Sequence, residues 1–317
     1  CLNVYLAHAI DEEIRKKATS GGVINTLVQF ILSKNIVEAV LLVGHDANSP
    51  IEASAYIVTK DTASLLAEQP REYTSRYVVV PVMERYRELI GKYKRIAVVG
   101  TPCQINSLQR VKKAGMKILS IGVTCSSGTS YLATQEYKHL MKATDSVMYY
   151  RGNGWPGYNS LYMGEESIEN YHTGSLFERM FSSQIFKNPG CRKCSDHFAE
   201  NADISFCDFW NAEEMSNEKI GNSCVIVRSK CGKQIFDDMI SEGVVSVVRE
   251  LEKKEVIKSQ YGVLKAKKGN LKKKSGYTLF IWMIDIVRKT KIFRLFGLRE
   301  YQKIAATYSK LCNKSSL

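Results

Sequence analysis

Four cysteines stand where their thiols could share one inorganic site. Cys103 follows an apolar stretch and a Gly-Thr-Pro turn in VVGTPCQIN, and Cys125 ends the apolar stretch KILSIGVTC. Cys191 and Cys194 form a CxxC motif. Four cysteine thiolates are the usual ligands of a [4Fe–4S] cluster, whereas a CxxC alone is also typical of a redox pair or of half a zinc site. The spacing therefore makes a cluster one of three candidate chemistries.

Each competing interpretation needs partners that the sequence supplies poorly. A zinc site needs a second CxxC or a Cys/His pair at short spacing, and only His197 lies nearby. A thioredoxin-like pair follows a strand and opens a helix, but this CxxC follows an Asn-Pro-Gly turn. A nucleophilic Cys103 needs a base, and no motif supplies one. Burial of Cys103 and Cys125 as small core residues stays open.

The composition points to a cytoplasmic protein with a substantial core. The chain has 317 residues, 44% of them hydrophobic, which is enough for one large domain or two smaller ones. We find no secretion signal, so the nine cysteines are expected in a reducing compartment, where structural disulfides are uncommon. The longest apolar stretch, TLFIWMIDIV, contains an aspartate and is too short to span a bilayer.

The positive charge is concentrated at the C-terminal end. The net charge is +13, yet residues 264–317 alone hold fourteen Lys/Arg and two acidic residues. The nearly neutral remainder argues against a specific nucleic-acid partner. The tail mixes lysines with Leu, Phe, Ile and Trp, as helices lying on an anionic membrane surface do. An acidic protein partner, or packing on the body, are alternatives. We predict a core over 1–262 and a basic amphipathic helical tail over 263–317.

The elements that must position the cysteines alternate between strands and helices. Apolar stretches predict strands at 37–46, 52–59, 94–100, 117–125, 202–210, 221–229 and 244–250. Helical spacing predicts helices after Gly22 and at 82–93, 131–143, 175–186 and 230–241. The pattern indicates an α/β fold, a mixed sheet flanked by helices, with an irregular cysteine-bearing segment. Loops at adjacent strand ends share one rim, which would bring Cys103 and Cys125 together.

Several segments resemble one known family in the order expected. RKKATSGGV, TSRYV, VVGTPCQINSL, IGVTC, GCRKCSDHFAENADISFCDFW and GNSCVIVRSKCGKQIF resemble the coenzyme F420 hydrogenase/dehydrogenase beta-subunit family of iron–sulfur flavoproteins. GTPCQ combined with CxxCxD, ADIS and a following Asp is a specific combination, which no single piece would be. RGNGWPGYN and the DFW ending resemble the bacterial branch associated with polysaccharide-biosynthesis loci.

The resemblance implies a [4Fe–4S] cluster beside a flavin, FAD. The cluster cysteines of the family correspond to Cys103, Cys125, Cys191 and Cys194. The implied activity is that of an oxidoreductase passing electrons between cluster, FAD and a reduced deazaflavin-like or other small-molecule substrate. A ferredoxin-like donor is the implied partner, and we expect the N-terminal ferredoxin-like module of many relatives to be absent from this chain.

The resemblance also implies a set of cofactor contacts. They are Ser20, Gly21, Gly22, Arg76, Tyr77, Thr101, Asp208 and Ser223. The Thr-Ser-Gly-Gly turn precedes a helix, whose N–H groups and dipole suit a pyrophosphate, although an ordinary helix cap is the alternative. Tyr77 has the alternative of a core aromatic, and Asp208 that of capping a turn. Trp155 and Tyr158 either line the substrate side or cover the interior from solvent.

Two departures from the family pattern motivate a second hypothesis. Ser126 and Ser127 follow Cys125 where the bacterial branch has His-Gly, and Cys207 replaces the Gly that precedes Asp208. A side chain in place of Gly obstructs a position where the backbone approaches a ligand. The alternative is therefore a non-catalytic or membrane-associated assembly subunit that retains the fold but not the full cofactor set. A zinc-stabilised binding protein is a third interpretation.

Overall fold

A computed structural model describes residues 1–74, 76–112 and 115–268, together with isolated positions between 279 and 307. Eleven strands are present in this part of the chain. They are β1 (Asn3–Ala9), β2 (Ala39–His45), β3 (Ala53–Thr59), β4 (Ile96–Gly100), β5 (Ile118–Val123), β6 (Val147–Tyr149), β7 (Tyr158–Met163), β8 (Glu166–Tyr171), β9 (Ile204–Asp208), β10 (Ser223–Val227) and β11 (Val245–Glu250).

The same part of the chain contains eleven α-helices and two short 3-10 helices. The α-helices are α1 (Glu12–Lys17), α2 (Val23–Ser33), α3 (Leu65–Glu68), α4 (Met83–Lys92), α5 (Pro102–Val111), α6 (Leu132–Leu140), α7 (Leu176–Ser182), α8 (Ala212–Asn217), α9 (Lys230–Ser241), α10 (Lys253–Ser259) and α11 (Tyr261–Lys268). The 3-10 helices are Lys60–Thr62 and Pro189–Arg192.

Eight strands form one mixed sheet in the order β11-β1-β10-β9-β5-β4-β2-β3. Strands β2, β4, β5 and β9 run parallel to one another. Strand β10 is antiparallel to both β9 and β1, so β1 also runs in the direction of β9. The ends of β1, β2, β4, β5 and β9 and the start of β10 consequently lie along one edge of the sheet, called here the carboxyl edge. Ligands of open α/β sheets bind at such edges.

Helices cover both faces of this sheet. On one face α2 and α9 pack on the central strands, and their contacts include Val28, Phe206 and Phe236, all buried. On the other face α4 and α5 pack on β2 to β5, with Tyr86 and Leu108 buried. The central strands are apolar on both sides because each side faces a helix layer. The predicted α/β fold, with a mixed sheet between helices, is confirmed.

A second, three-stranded sheet, in the order β6-β7-β8, lies beside the carboxyl edge. Its core is aromatic and is shared with α6 and α7, where Tyr137, Tyr150 and Phe177 are fully buried. The loop between β6 and β7 contacts the large sheet's connections, since the Gly154 and Trp155 N–H groups donate to Lys16 and Lys219 carbonyls. The small sheet is thereby fixed over the carboxyl edge.

The segment between α7 and β9, which carries the CxxC, contains only the short helix Pro189–Arg192. Irregular structure there agrees with the sequence-based expectation. Helix α11 crosses the predicted boundary at residue 262, and most of the predicted tail lies outside the described residues. Within the described residues, no helix has the length and apolar character that crossing a bilayer requires.

One buried ion pair joins the small sheet to the end of β9. Arg151 follows β6, its side chain is 3% exposed, and its Nη1 donates to Asp208 Oδ2 at 2.6 Å. The Trp155 indole Nε1 donates to the other carboxylate oxygen at 3.0 Å. Burial lowers the pKa of Arg151, but Asp208 and Tyr77 raise it more, so the pKa lies above its ordinary value. A pair this buried is costly to break on one side only.

We therefore expect Asp208→Asn to lower the free energy of unfolding by about 3–5 kcal/mol, because Arg151 would remain buried without its anion. Urea unfolding measures the change. The matched control is Glu88→Gln, which breaks the exposed Arg85–Glu88 pair (57% and 51% exposed) and should cost about 0.5 kcal/mol or less. An equal, small effect in both variants would contradict a structural role for the Arg151–Asp208 pair.

Candidate metal and cofactor site

Cys103 is presented by the first turn of α5, directly after β4. Thr101 is the N-cap and Pro102 occupies the first helical position, where its fixed φ and missing N–H suit a helix start. Thr101 and Gln104 form a capping box, with the Thr101 N–H donating to Gln104 Oε1 at 2.9 Å. The Cys103 thiol is exposed and lies 3.4 Å from Thr101 Oγ1. The turn thus fixes where the Cys103 sulfur points.

Cys125 follows β5 and is held through its backbone. Its N–H donates to the His197 carbonyl at 3.0 Å, and His197 Nδ1 lies 3.1 Å from the Cys125 carbonyl. Burial raises the pKa of the Cys125 thiol to about 12; Lys267 opposes this shift, whereas Cys191, Cys103 and Cys194 add to it. Burial is the largest cause of the shift, and the other three cysteines contribute less.

The CxxC thiols also have hydrogen-bond partners. The Gly128 N–H donates to Cys191 Sγ at 3.3 Å, and Lys267 Nζ donates to Cys194 Sγ at 3.5 Å. A Cβ on Gly128 would lie 2.5 Å from Val79 Cγ2, so the missing side chain lets this loop pack closely against Val79. Hydrogen bonds to cysteine sulfur are a common feature of iron–sulfur sites and adjust their potential.

The donor set fits a cubane cluster. In the described part of the chain, no group of three or more His, Cys, Asp or Glu side chains is arranged closely enough to hold a metal ion. A [4Fe–4S] cluster distributes four cysteine ligands over four separate iron atoms. The sulfurs of Cys103, Cys125, Cys191 and Cys194 come from three loops at one edge, and three of them are hydrogen-bonded to nearby groups. Four thiols in this arrangement are the appropriate ligand type.

The Ser-Gly-Gly turn contacts the start of β10. Ser20 Oγ donates to the Asn222 carbonyl at 2.8 Å, and the Gly21 N–H donates to Ser223 Oγ at 3.0 Å. A Cβ on Gly21 would lie only 2.6 Å from Ser223 N, and Gly22 has a φ of 76° at the N-cap of α2. Close packing and a left-handed backbone therefore account for both glycines. The predicted phosphate contact stays a prediction.

Arg76 keeps hydrogen-bonding capacity to spare. Its Nη2 donates to the Glu52 carbonyl at 3.1 Å, and its guanidinium lies 4.9 Å from the centre of the Tyr150 ring. Its Nε and Nη1 are buried and have no acceptor among the described residues. Buried polar groups are nearly always hydrogen-bonded, so two free donors of a buried guanidinium suit a polar ligand. Arg76 fits the role of a cofactor contact.

Tyr77 and Asp208 are engaged by other side chains. The Tyr77 ring stacks on Tyr150 with centroids 5.2 Å apart and contacts Phe177 at 5.9 Å. Burial raises the pKa of Tyr77. The carboxylate of Asp208 is occupied by Arg151 and Trp155, as described above. Tyr77 thus has the contacts of a core aromatic, and Asp208 anchors the small sheet.

Cys207 lies away from these thiols. Its side chain is 6% exposed and packs with Phe209 and Cys224, the residue opposite it on β10, in a buried apolar group. The extra side chain relative to the family pattern is thereby accommodated in the core. Burial and the neighbouring Cys224 raise the pKa of Cys207, with the Cys224 hydrogen bond the larger cause.

Sequence reasoning missed three residues that complete the site. Arg151 and Lys267 bind partners 57 and 73 residues away, and Gly128 binds a sulfur 63 residues away. The Gly-rich RGNGWPG stretch marked the neighbourhood of Arg151. Lys267 had no such signal, because it was one of many lysines in the basic region.

Comparison with known proteins matches the chain to one family. The "Coenzyme F420 hydrogenase/dehydrogenase, beta subunit" family matches with its N-terminal pattern over residues 4–85 and its C-terminal pattern over residues 93–253. The coenzyme F420 hydrogenase subunit beta of Methanococcus voltae is 24% identical over 251 residues, covering 75% of this chain and 81% of that protein.

Two further relatives agree. The coenzyme F420-dependent sulfite reductase of Methanocaldococcus jannaschii is 23% identical over 283 residues, covering 84% of this chain and 41% of that enzyme. A chain of the F420-reducing [NiFe] hydrogenase complex from Methanosarcina barkeri shares the fold, with a TM-score of 0.64, 17% identity, and coverage of 87% of this chain and 93% of that one. The family resemblance read from the sequence is confirmed: the chain belongs to the coenzyme F420 hydrogenase/dehydrogenase beta-subunit family.

Proposed function

We propose that this chain is an iron–sulfur flavoprotein oxidoreductase in which Cys103, Cys125, Cys191 and Cys194 hold a [4Fe–4S] cluster. The observation that carries the proposal is geometric: Cys103 and Cys125 follow the adjacent parallel strands β4 and β5, and the CxxC segment is hydrogen-bonded to the loop after β5 through Cys191 Sγ and the His197 carbonyl. The hydrogen bonds of the cysteine sulfurs to Thr101, Gly128 and Lys267 support it.

The proposal places FAD at the same edge. Arg76 supports it most strongly, because its buried Nε and Nη1 lack acceptors among the described residues. The other proposed contacts are Ser20, Gly21, Gly22, Tyr77, Thr101, Asp208 and Ser223; of these, Thr101 follows β4, Asp208 ends β9 and Ser223 begins β10. Ser20, Gly21 and Ser223 adjoin one another, and Thr101 adjoins Cys103, so a flavin there would lie near the cluster cysteines.

The relatives suggest the partners of the reaction. They are named as F420 hydrogenase, F420-dependent formate dehydrogenase and F420-dependent sulfite reductase proteins, so we propose a reduced deazaflavin such as F420 as substrate class. When bound, a flavin exchanges hydride for single electrons and the cluster carries those electrons one at a time. The chain's own residues orient the two groups and keep the interior dry. A ferredoxin-like donor, a cytoplasmic location and a role in polysaccharide biosynthesis complete the proposal, the last on the RGNGWPGYN and DFW segments alone.

A second candidate is an assembly subunit that keeps the cluster and lacks the flavin. It is favoured by the stacking of Tyr77 on Tyr150, by the engagement of the Asp208 carboxylate with Arg151, and by the Cys207 side chain in place of Gly. The two candidate functions predict the same iron content, but only the first predicts bound flavin.

The cysteine assignment is tested by iron content after anaerobic purification. Cys103→Ser and Cys191→Ser should each lose most of the iron of the wild-type chain, because a serine oxygen is a poor substitute for a thiolate ligand. Colorimetric iron assay, with the EPR signal of the reduced protein, measures the loss.

Cys231→Ser is the matched control. Cys231 is an exposed cysteine of α9 and lies near Asp203 and Lys117, which precede β9 and β5 and therefore lie at the opposite edge of the sheet. The Cys231→Ser variant should therefore contain as much iron per chain as the wild-type protein. Equal iron in all variants, or equal loss in Cys231→Ser, would overturn the assignment.

The C-terminal region supports a further proposed partner, an anionic membrane surface. Among its described residues, Leu279, Trp282 and Met283 are helical, follow i, i+3, i+4 spacing and are exposed, with Trp282 at 60%. Ile304 packs on the core of the small sheet instead. An exposed apolar stripe within a segment of net charge +12 fits an interfacial helix.

Trp282→Ala should weaken sedimentation with vesicles of anionic lipid by at least about tenfold, because the indole contributes interfacial burial of roughly 1.5–3 kcal/mol. Ile257→Ala, at a similarly exposed residue of α10, is the control and should bind as wild type. Binding that is equal on neutral and anionic vesicles, or unchanged by Trp282→Ala, would contradict the membrane partner.

A further inference from the structure

Lys267 is a buried cation beside the candidate cluster cysteines. It lies in the last turn of α11 and is 7% exposed. Its Nζ donates to the Asp196 carbonyl at 2.6 Å and to Cys194 Sγ at 3.5 Å. Within the described part of the chain, no Asp or Glu carboxylate lies within 4.0 Å of it. Among the described residues, the partners of the Lys267 charge are therefore a peptide carbonyl and a cysteine sulfur.

A buried ammonium group without an anion is energetically unfavourable, so its presence points to a negative partner. A cluster held by four thiolates carries net negative charge and would provide that anion. We propose that Lys267 acts as a fixed positive charge that raises the reduction potential of the [4Fe–4S] cluster at Cys103, Cys125, Cys191 and Cys194. This inference rests on the proposed function, because it needs the cluster to be present.

The direction of the effect follows from electrostatics. Reduction by one electron adds one negative charge to the cluster, so a nearby cation stabilises the reduced state more than the oxidised state. The N–H···S bond to Cys194 acts in the same direction, since hydrogen bonds to the ligand sulfurs are a principal determinant of cluster potential. Burial limits screening by water and salt, which keeps the interaction strong.

The next residue offers a matched comparison. Lys268 is exposed and pairs with Glu200, and no hydrogen bond joins it to a cysteine within the described residues. Lys267→Met and Lys268→Met each remove one positive charge from the same helical turn. Only the first removes a charge in contact with a cluster ligand, so the pair separates a local effect from a change in overall charge.

The test is an EPR-monitored redox titration of the full chain, purified anaerobically. Lys267→Met should lower the ratio of reduced to oxidised cluster at the wild-type midpoint by about tenfold, which for a one-electron couple is about 59 mV. Lys267→Arg, which keeps the charge, should have a midpoint potential close to that of the wild-type chain. Lys268→Met should titrate as wild type. Iron per chain and thermal unfolding are measured for every variant to detect a merely structural loss.

One further variant covers the case in which Lys267→Met fails to bind the cluster. If Lys267→Met loses iron, Lys267→Gln, which can still donate to Asp196, takes its place. Iron loss in both neutral variants with retention in Lys267→Arg supports the charge role. Iron loss in all three, an unchanged potential with full iron, or an equal shift in Lys268→Met overturns it. A wild-type chain without iron overturns the proposed function as well, whereas a normal cluster with no Lys267 effect overturns this inference alone.

Discussion

The shared direction of β2, β4, β5 and β9 is the constraint on which the rest of the structure depends. Since these four strands are parallel, they end at one edge, and the loops that follow them must meet there. That geometry puts Cys103, Cys125 and Asp208 along one line, although they are far apart in the sequence. Reversing β4 or β5 would move one of the cysteines to the opposite edge of the sheet.

The edge alone does not place the CxxC; backbone contacts do. His197 and Cys125 exchange hydrogen bonds, and the Asn188 N–H donates to the Gly128 carbonyl, so the irregular segment is tied to the loop after β5. Two buried cations complete the arrangement. Arg151 binds Asp208 and so attaches the small sheet to this edge, and Lys267 binds Cys194 and so attaches α11. The position of each of these two elements therefore depends on a buried positive charge.

Local pattern predicted most of the large sheet and of the candidate ligands. The apolar stretches at 94–100 and 117–125 contain β4 and β5, and the helix expected after Gly22 is α2. The sequence-based prediction lacks strand β1 and helix α5. The burial of β1 alternates only in part, and the strand lies close to the first residue of the chain. Helix α5 begins within a Gly-Thr-Pro sequence that also suits a turn. Thr101, Pro102 and Gln104 together are a helix-start signal that could have revealed α5. Lys267 and Arg151 could not be predicted, because tertiary contacts across 73 and 57 residues select them.

We propose one cubane cluster, with a flavin beside it, at the carboxyl edge. Native mass spectrometry of the anaerobically purified full chain tests it most directly, since each cofactor adds a distinct mass. The predicted result is a species equal to the chain plus one four-iron, four-sulfide cluster and one FAD. A species with the cluster alone would support the assembly-subunit alternative. The mass of the bare chain, or of the chain with a single zinc ion, would contradict the claim.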